Sequence, residues 1–153
     1  MKEHKYSLDI VWTGNTGKGT SNYRSYERDF KVQIENKIPM KLSADPAFRG
    51  NASKYNPEEL FLISISSCHM LWLLHLCSEN GVVISEYMDT PQGTMIINED
   101  GSGKFIEVIL NIRIKLDSDH SIGLLNELNK KANKMCFIAN TLNIPVKHNL
   151  VLI

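Results

Sequence analysis

Hydrophobic and polar residues alternate from the start of the chain, with Tyr6, Leu8, Ile10 and Trp12 interleaved with Ser7, Asp9 and Val11. A period of two marks a half-buried strand. After the turn "TGNTGKGT", residues 22 to 34, "NYRSYERDFKVQI", read as a second strand. On it Phe30, Val32 and Ile34 share a face with Arg24, Tyr26 and Arg28, because side chains alternate sides. A third short strand covers Ile38 to Leu42. The pattern then changes. Asn56 is placed to cap a helix, Pro57 fits its first position, and Glu59 completes a capping box. The helix runs to an Asn80-Gly81 stop and is apolar almost all round, from Leu60, Phe61 and Ile63 to Leu71, Leu73, Leu74 and Leu76. That is the composition of a buried helix.

Strands follow at Val82 to Ile97 and Phe105 to Lys115, joined as a hairpin by "NEDGSG". A second helix from about Ser121 carries Ile122, Leu125, Leu128, Ala132 and Met135 at three- and four-residue spacing, with Cys136 directly after the stripe. A short helix, "FIANTL", and a final strand, "PVKHNLVLI", complete an α+β plan of order β-β-β-α-β-β-α-α-β. Gly and Pro are scattered as turn punctuation, and 153 residues suit a single domain, 1–153.

Charge narrows the function. Seventeen basic and seventeen acidic residues cancel without forming a block of either sign, which argues against nucleic acid or anionic lipid as a partner. Residues 60 to 77 contain no Asp, Glu, Lys or Arg and reach the length of a membrane span, but three serines and two histidines interrupt them and amphipathic strands surround them. A buried core helix is the better reading. The N-terminal residues lack the pattern of a signal peptide, so the protein is expected to be cytoplasmic. Three cysteines, Cys68, Cys77 and Cys136, are too few for a disulfide framework and in a reducing compartment are core thiols, ligands or redox groups.

Cys68, His69, His75 and Cys77 do not suit one metal. Cys68 and His75 share a helix face but lie about 10 Å apart along it, whereas zinc ligands each sit about 2 Å from the ion. No metal or cofactor is expected. "GNTGKG" leads into a strand and not into a helix whose N-terminus would meet a phosphate, so it reads as a turn. Thiol chemistry remains. A free cysteine is more often a small buried hydrophobe than a nucleophile, and a second cysteine within reach changes that balance. Cys136 stands at a helix break, where the partial positive charge of the following helix would favour its thiolate; Cys77 has no such setting and reads as structural.

Three stretches, "NPEELFLISISSCHM" at 56 to 70, "KMCFIANTL" at 134 to 142 and "DPAFRGN" at 45 to 51, resemble the family of osmotically inducible protein C and organic hydroperoxide resistance protein (OsmC/Ohr), in its OsmC-like branch. The resemblance spans nearly the whole chain in the same element order. It implies an OsmC-like mixed fold, with a long central helix packed on antiparallel sheets in an intertwined homodimer, and a cysteine-based peroxidase that reduces organic hydroperoxides. The peroxidatic thiol falls on Cys68, the resolving thiol on Cys136, and the carboxylate that orients an arginine beside the thiolate on Glu58. The sequence departs from the family where that arginine is expected, since the loop after the first strand has Thr16 at or near the spot. Arg49 and Arg24 are the candidates. A thiol buried in an apolar helix is held protonated unless a fixed cation stands beside it, so the chemistry asks for one of them near Cys68.

The resemblance also implies an external dithiol reductant, typically a lipoylated protein. Apolar residues near Cys68, including Met70 and Trp72, suit a greasy hydroperoxide better than hydrogen peroxide. Glu58 and Cys68, ten residues apart on one helix, are about 15 Å apart along its axis, so a shared site needs an antiparallel second copy. The alternative is a non-catalytic dimeric module that holds a small apolar ligand. A thiol-dependent hydrolase would need a histidine turned toward Cys68, and His69 lies about 100° away around the helix.

Overall fold

A capping box starts the longest helix as the sequence predicts. The Glu59 N–H donates to the Asn56 side-chain oxygen at 2.8 Å, and the Asn56 N–H donates to the Glu59 carboxylate at 3.0 Å. The helix, α1 (Pro57–Glu79), ends where Gly81 turns left-handed at φ 70°, with the Val82 N–H closing on the Cys77 carbonyl at 2.9 Å. A residue with a Cβ is strained there, which is why the chain places glycine. The structure is a computed structural model and describes residues 2–117 and 122–153.

The chain divides into two compact units, Met1–Leu60 and Phe61–Ile153. The first holds an antiparallel sheet of β1 (Asp9–Trp12), β2 (Phe30–Gln33) and β3 (Met40–Leu42), with Ile10 opposite Val32 and Phe30 opposite Leu42. Its second strand is much shorter than predicted. Residues 22 to 25 form turns, and residues 26 to 29 are irregular but still pair with the chain after β1: the Thr13 N–H donates to the Asp29 carbonyl and the Glu27 N–H to the Gly14 carbonyl, both at 2.9 Å, and Tyr26 bridges Asn15. The local reason is polar. Asn22 and Ser25 hydrogen-bond neighbouring backbone groups, and the Arg28 guanidinium donates to the carbonyls of Tyr23 and Tyr26. Side chains that satisfy backbone locally compete with a strand ladder. In the "GNTGKG" turn, Asn15 Oδ1 accepts from the N–H groups of Gly17 and Gly19 at 2.9 and 3.0 Å.

The second unit is built on β6 (Gly103–Leu116). Val108, Leu110, Ile112 and Ile114 are fully buried on one face while their odd-numbered neighbours are more exposed, the alternation of a strand packed on one side. Two antiparallel strands, β4 (Ile84–Asp89) and β5 (Gln92–Ile97), pair with successive lengths of β6, and β7 (Val146–Leu152) pairs with it in parallel. Two expectations change here. The predicted strand 82 to 97 is two strands, because Pro91 has no N–H to continue the ladder. The sheet is mixed and not antiparallel, because α2 (Ile122–Met135) and α3 (Phe137–Asn140) carry the chain across before β7. The predicted start of α2 at Ser121 lies outside the described residues.

Helix α1 buries one stripe of its second-unit length, Ile65, His69, Leu73 and Leu76 with Cys77, which joins Leu125, Leu128 and Ala132 of α2 and the inner face of β6 in one core. Ile63 and Leu71 stay 47% and 62% exposed. Among the described residues of the second unit, this all-round apolar helix is buried along one stripe. Asn56→Ala is expected to lower stability by about 1 kcal/mol, the cost of losing a helix cap, as read by urea denaturation.

Candidate functional site

Two of the expected residues come together. The thiol of Cys68, on α1, lies near enough to that of Cys136 to raise its pKa, and all three cysteines are free. Cys68 is half-buried, whereas Cys136 is fully buried. Cys136 caps α3, its Sγ accepting from the Ala139 N–H at 3.4 Å, so the helix break does present positive charge to the sulfur. Burial outweighs it. Burial first, then the neighbouring Cys68 thiol, push the Cys136 thiol up to about 11, against the smaller opposing pull of the Ala139 N–H. The expected thiolate at Cys136 is therefore corrected to a protonated thiol at neutral pH. Cys77 is also pushed up to about 11 by burial.

An apolar wall adjoins the pair. Trp72 lies one helical turn beyond Cys68 on the same face. It meets Phe137, the residue after Cys136, edge-on with centroids 5.7 Å apart, and Phe137 is 68% exposed. Leu71, Trp72 and His75 line a small cleft of about 190 Å³. Sequence reasoning found Trp72 and missed Phe137, although its place directly after Cys136 was a usable signal.

The arginines and Glu58 belong to the first unit. "DPAFRGN" folds as a tight 3-10 turn, Pro46–Phe48, in which Asp45 Oδ1 accepts from the Ala47 N–H at 2.7 Å and Arg49 turns left-handed at φ 66°. Gly50 follows because a Cβ there would fall 1.5 Å from the Ala44 carbonyl oxygen. The Asn56 amide donates to Asp45 at 3.3 Å, tying this turn to the start of α1. Arg49 lies over the Tyr23 ring at 6.0 Å, and Arg24 is exposed. Arg28, not among the candidates, stacks on Tyr23 and Tyr26 at 4.3 and 4.0 Å. Thr16 donates to the Ser25 carbonyl at 2.6 Å. Glu58 is half-buried, and its Oε2 is buried without a hydrogen-bond partner among the described residues. A buried carboxylate oxygen with no donor is costly and calls for one.

Beside Cys68 in sequence, His69 enters the core and not the thiol site. Its Nε2 hydrogen-bonds Asn129 Oδ1 at 2.8 Å, and its ring packs on His148 with centroids 4.4 Å apart. These partners were missed, yet each breaks a pattern. Asn129 stands four residues after Leu125 on the buried stripe of α2, and His148 shares the inward face of β7 with the apolar Val146 and Leu150. Burial lowers the pKa of both histidines; the Asn129 hydrogen bond and the charge of Asp89 partly offset it at His69, and the neighbouring His69 lowers His148 further, to about 4. A histidine of depressed folded-state pKa stays neutral where the unfolded chain takes up a proton, so stability is full above the ordinary value near 6.5 and falls as acid is added. Unfolding free energy is expected to drop between about pH 6.5 and pH 4, and His148→Asn to flatten that slope, as measured by urea titrations at each pH.

Residues 50–151 match the model of the family described as OsmC-like protein. Among proteins of curated function, none matches the sequence. Solved structures do match in fold. An OsmC-like protein of unknown function from Vibrio cholerae O1 biovar eltor superposes with a TM-score of 0.87 at 24% identity, covering 99% of this chain and 100% of that one. An organic hydroperoxide resistance protein from Elizabethkingia anophelis, crystallised with thiocyanate, gives 0.69 at 20% identity, covering 99% and 98%. The organic hydroperoxide resistance protein OsmC of Legionella pneumophila gives 0.68 at 16% identity, covering 98% of each chain.

Proposed function

Because the chain belongs to the OsmC-like protein family, we propose that it is a thiol peroxidase that reduces organic hydroperoxides, working as one OsmC-like domain, residues 1–153, in the cytoplasm. The observation that carries this reading is the proximity of a half-exposed Cys68 to a buried Cys136. The Cys68 thiolate attacks the distal peroxide oxygen, the O–O bond breaks, and the alkoxide leaves and takes a proton to become the alcohol. Cys68 is then a sulfenic acid. Cys136 attacks that sulfur, a disulfide forms, and hydroxide leaves with the Cys136 proton as water. An external dithiol, such as a lipoylated protein, restores both thiols by exchange. The unequal burial supports the assignment, since only Cys68 has a surface that a substrate can approach. The Trp72 and Phe137 wall supports an organic substrate.

Cumene or tert-butyl hydroperoxide is expected to be consumed faster than hydrogen peroxide, and with dihydrolipoamide faster than with glutathione. Cys68→Ser should abolish turnover. Peptide mapping after one equivalent of hydroperoxide should find Cys68 joined to Cys136, and a Cys68-Cys77 link or no link overturns the assignment.

The working unit in this reading is a homodimer in which Glu58 of one copy serves Cys68 of the other through an arginine, Arg49 or Arg24. Two features support it: the unpartnered, buried Glu58 oxygen, and the exposed Ile63 and Leu71 on an otherwise apolar α1. Glu58→Ala and Cys68→Ser homodimers should each be weak or dead, while mixing the two should restore up to one native site per mixed dimer. Absence of recovery in mixed dimers shown to have formed by mass spectrometry removes the shared site.

A further inference from the structure

A cleft of about 400 Å³ opens between α2 and β7, lined by Asn126, Asn129, Lys130, Asn133, Lys134 and His148. Its lining is unusual in sign. Two ammonium groups, three carboxamides and an imidazole face it, with no carboxylate among them. Lys54, Lys115 and Lys147 each pair with an acidic residue, but among the described residues neither Lys130 nor Lys134 does. The two stand four apart on one helix, a like-charge spacing that costs stability unless something offsets it. The C-terminal dipole of α2 accounts for Lys134 in the last turn, and not for Lys130.

Two further lining groups are short of partners. Asn129 commits its Oδ1 to His69, which leaves its amide N–H groups as donors, and Asn129 is itself buried. His148 has a buried Nε2 without a hydrogen-bond partner among the described residues. A concavity that gathers donors and positive charge, and provides no acid of its own, is complementary to an anion. Its volume exceeds that of a bare phosphate and falls in the range of small-molecule sites.

We propose that this cleft is a binding site for a small molecule carrying a phosphate or carboxylate group, with Lys130 and Lys134 pairing with the anion and Asn129 and Asn133 donating hydrogen bonds to it. The site does not depend on the thiol peroxidase reading and is tested without an activity assay. The full-length protein, labelled with nitrogen-15, is titrated at low ionic strength with inorganic phosphate and, in parallel, with succinate, following the side-chain amide signals of Asn129 and Asn133 and the His148 ring.

A saturable shift with phosphate alone assigns a phosphate-bearing ligand, with succinate alone a carboxylate, and with both a general anion site. The Lys130→Gln, Lys134→Gln double variant should bind at least tenfold more weakly, while Lys18→Gln with Lys37→Gln, which removes equal charge elsewhere, should change nothing. Added sodium chloride should weaken binding to the unaltered protein, a readout that needs no variant. No saturable shift with either anion, shifts that persist unchanged in the Lys130 and Lys134 variant, or insensitivity to salt overturns the proposal.

Discussion

The second unit depends on one junction, where two adjacent residues of α1 hold α2 and its end. Cys68 lies near Cys136 just beyond the last turn of α2, and His69 hydrogen-bonds Asn129 two turns earlier, about 10 Å back along the helix. Two points of attachment fix both the slide and the rotation of one helix on another. Rotation matters because the two α1 residues point about 100° apart. Turning α1 to bring His69 toward the thiols would withdraw it from Asn129 and strand two polar groups in the core, each at a cost of about 1–3 kcal/mol. The buried polar pair thus does what an apolar contact of equal area does not, because it accepts one register and penalises its neighbours.

Helix α1 is read differently along its faces once that junction is set. The stripe of Ile65, Leu73 and Leu76 follows the inner face of β6, and its cost in ordering is met by apolar burial. Ile63 and Leu71 lie off that stripe and remain in water. Ser64 and Ser67 turn their hydroxyls back onto the helix, at 2.7 Å to the Phe61 carbonyl and 2.6 Å to that of Ile63, so neither serine needs solvent on its side. A face made of self-satisfied serines and exposed aliphatics is suited to being covered, which is why the homodimer reading follows from α1 as much as from Glu58.

Legibility in the sequence divides along the same physical line. Capping and stop signals at Asn56, Glu59 and Gly81, and the period-two run of β6, are local, and they lie where the residues placed them. The break at Pro91 was also local, but a long apolar-flanked run around it looked continuous. The failure at residues 22 to 25 has a different cause. Alternation was present, yet short polar side chains and Arg28 satisfied the backbone in turns, and only three-dimensional neighbours decide which of the two wins. At the site, the two cysteines were legible through their motifs. The His69, Asn129 and His148 set was not, because its members lie 60 and 19 residues apart and only the fold brings them into contact.

The two cysteines show how burial can override a local electrostatic cue. A cysteine at a helix start is ordinarily favoured as thiolate, and Cys136 has that geometry, including the Ala139 N–H. Full burial reverses the sign, because removing water penalises a thiolate more than one weak N–H donor at 3.4 Å repays. Under the proposed chemistry that reversal is useful. A second thiol ionised at neutral pH would itself compete for hydroperoxide, whereas a protonated and enclosed one reacts only with the sulfur already beside it. Its nucleophilicity, once the proton is lost, rises with its pKa, so the group least able to meet substrate is well suited to close the disulfide. The difference in burial thus assigns the two chemically identical side chains different parts.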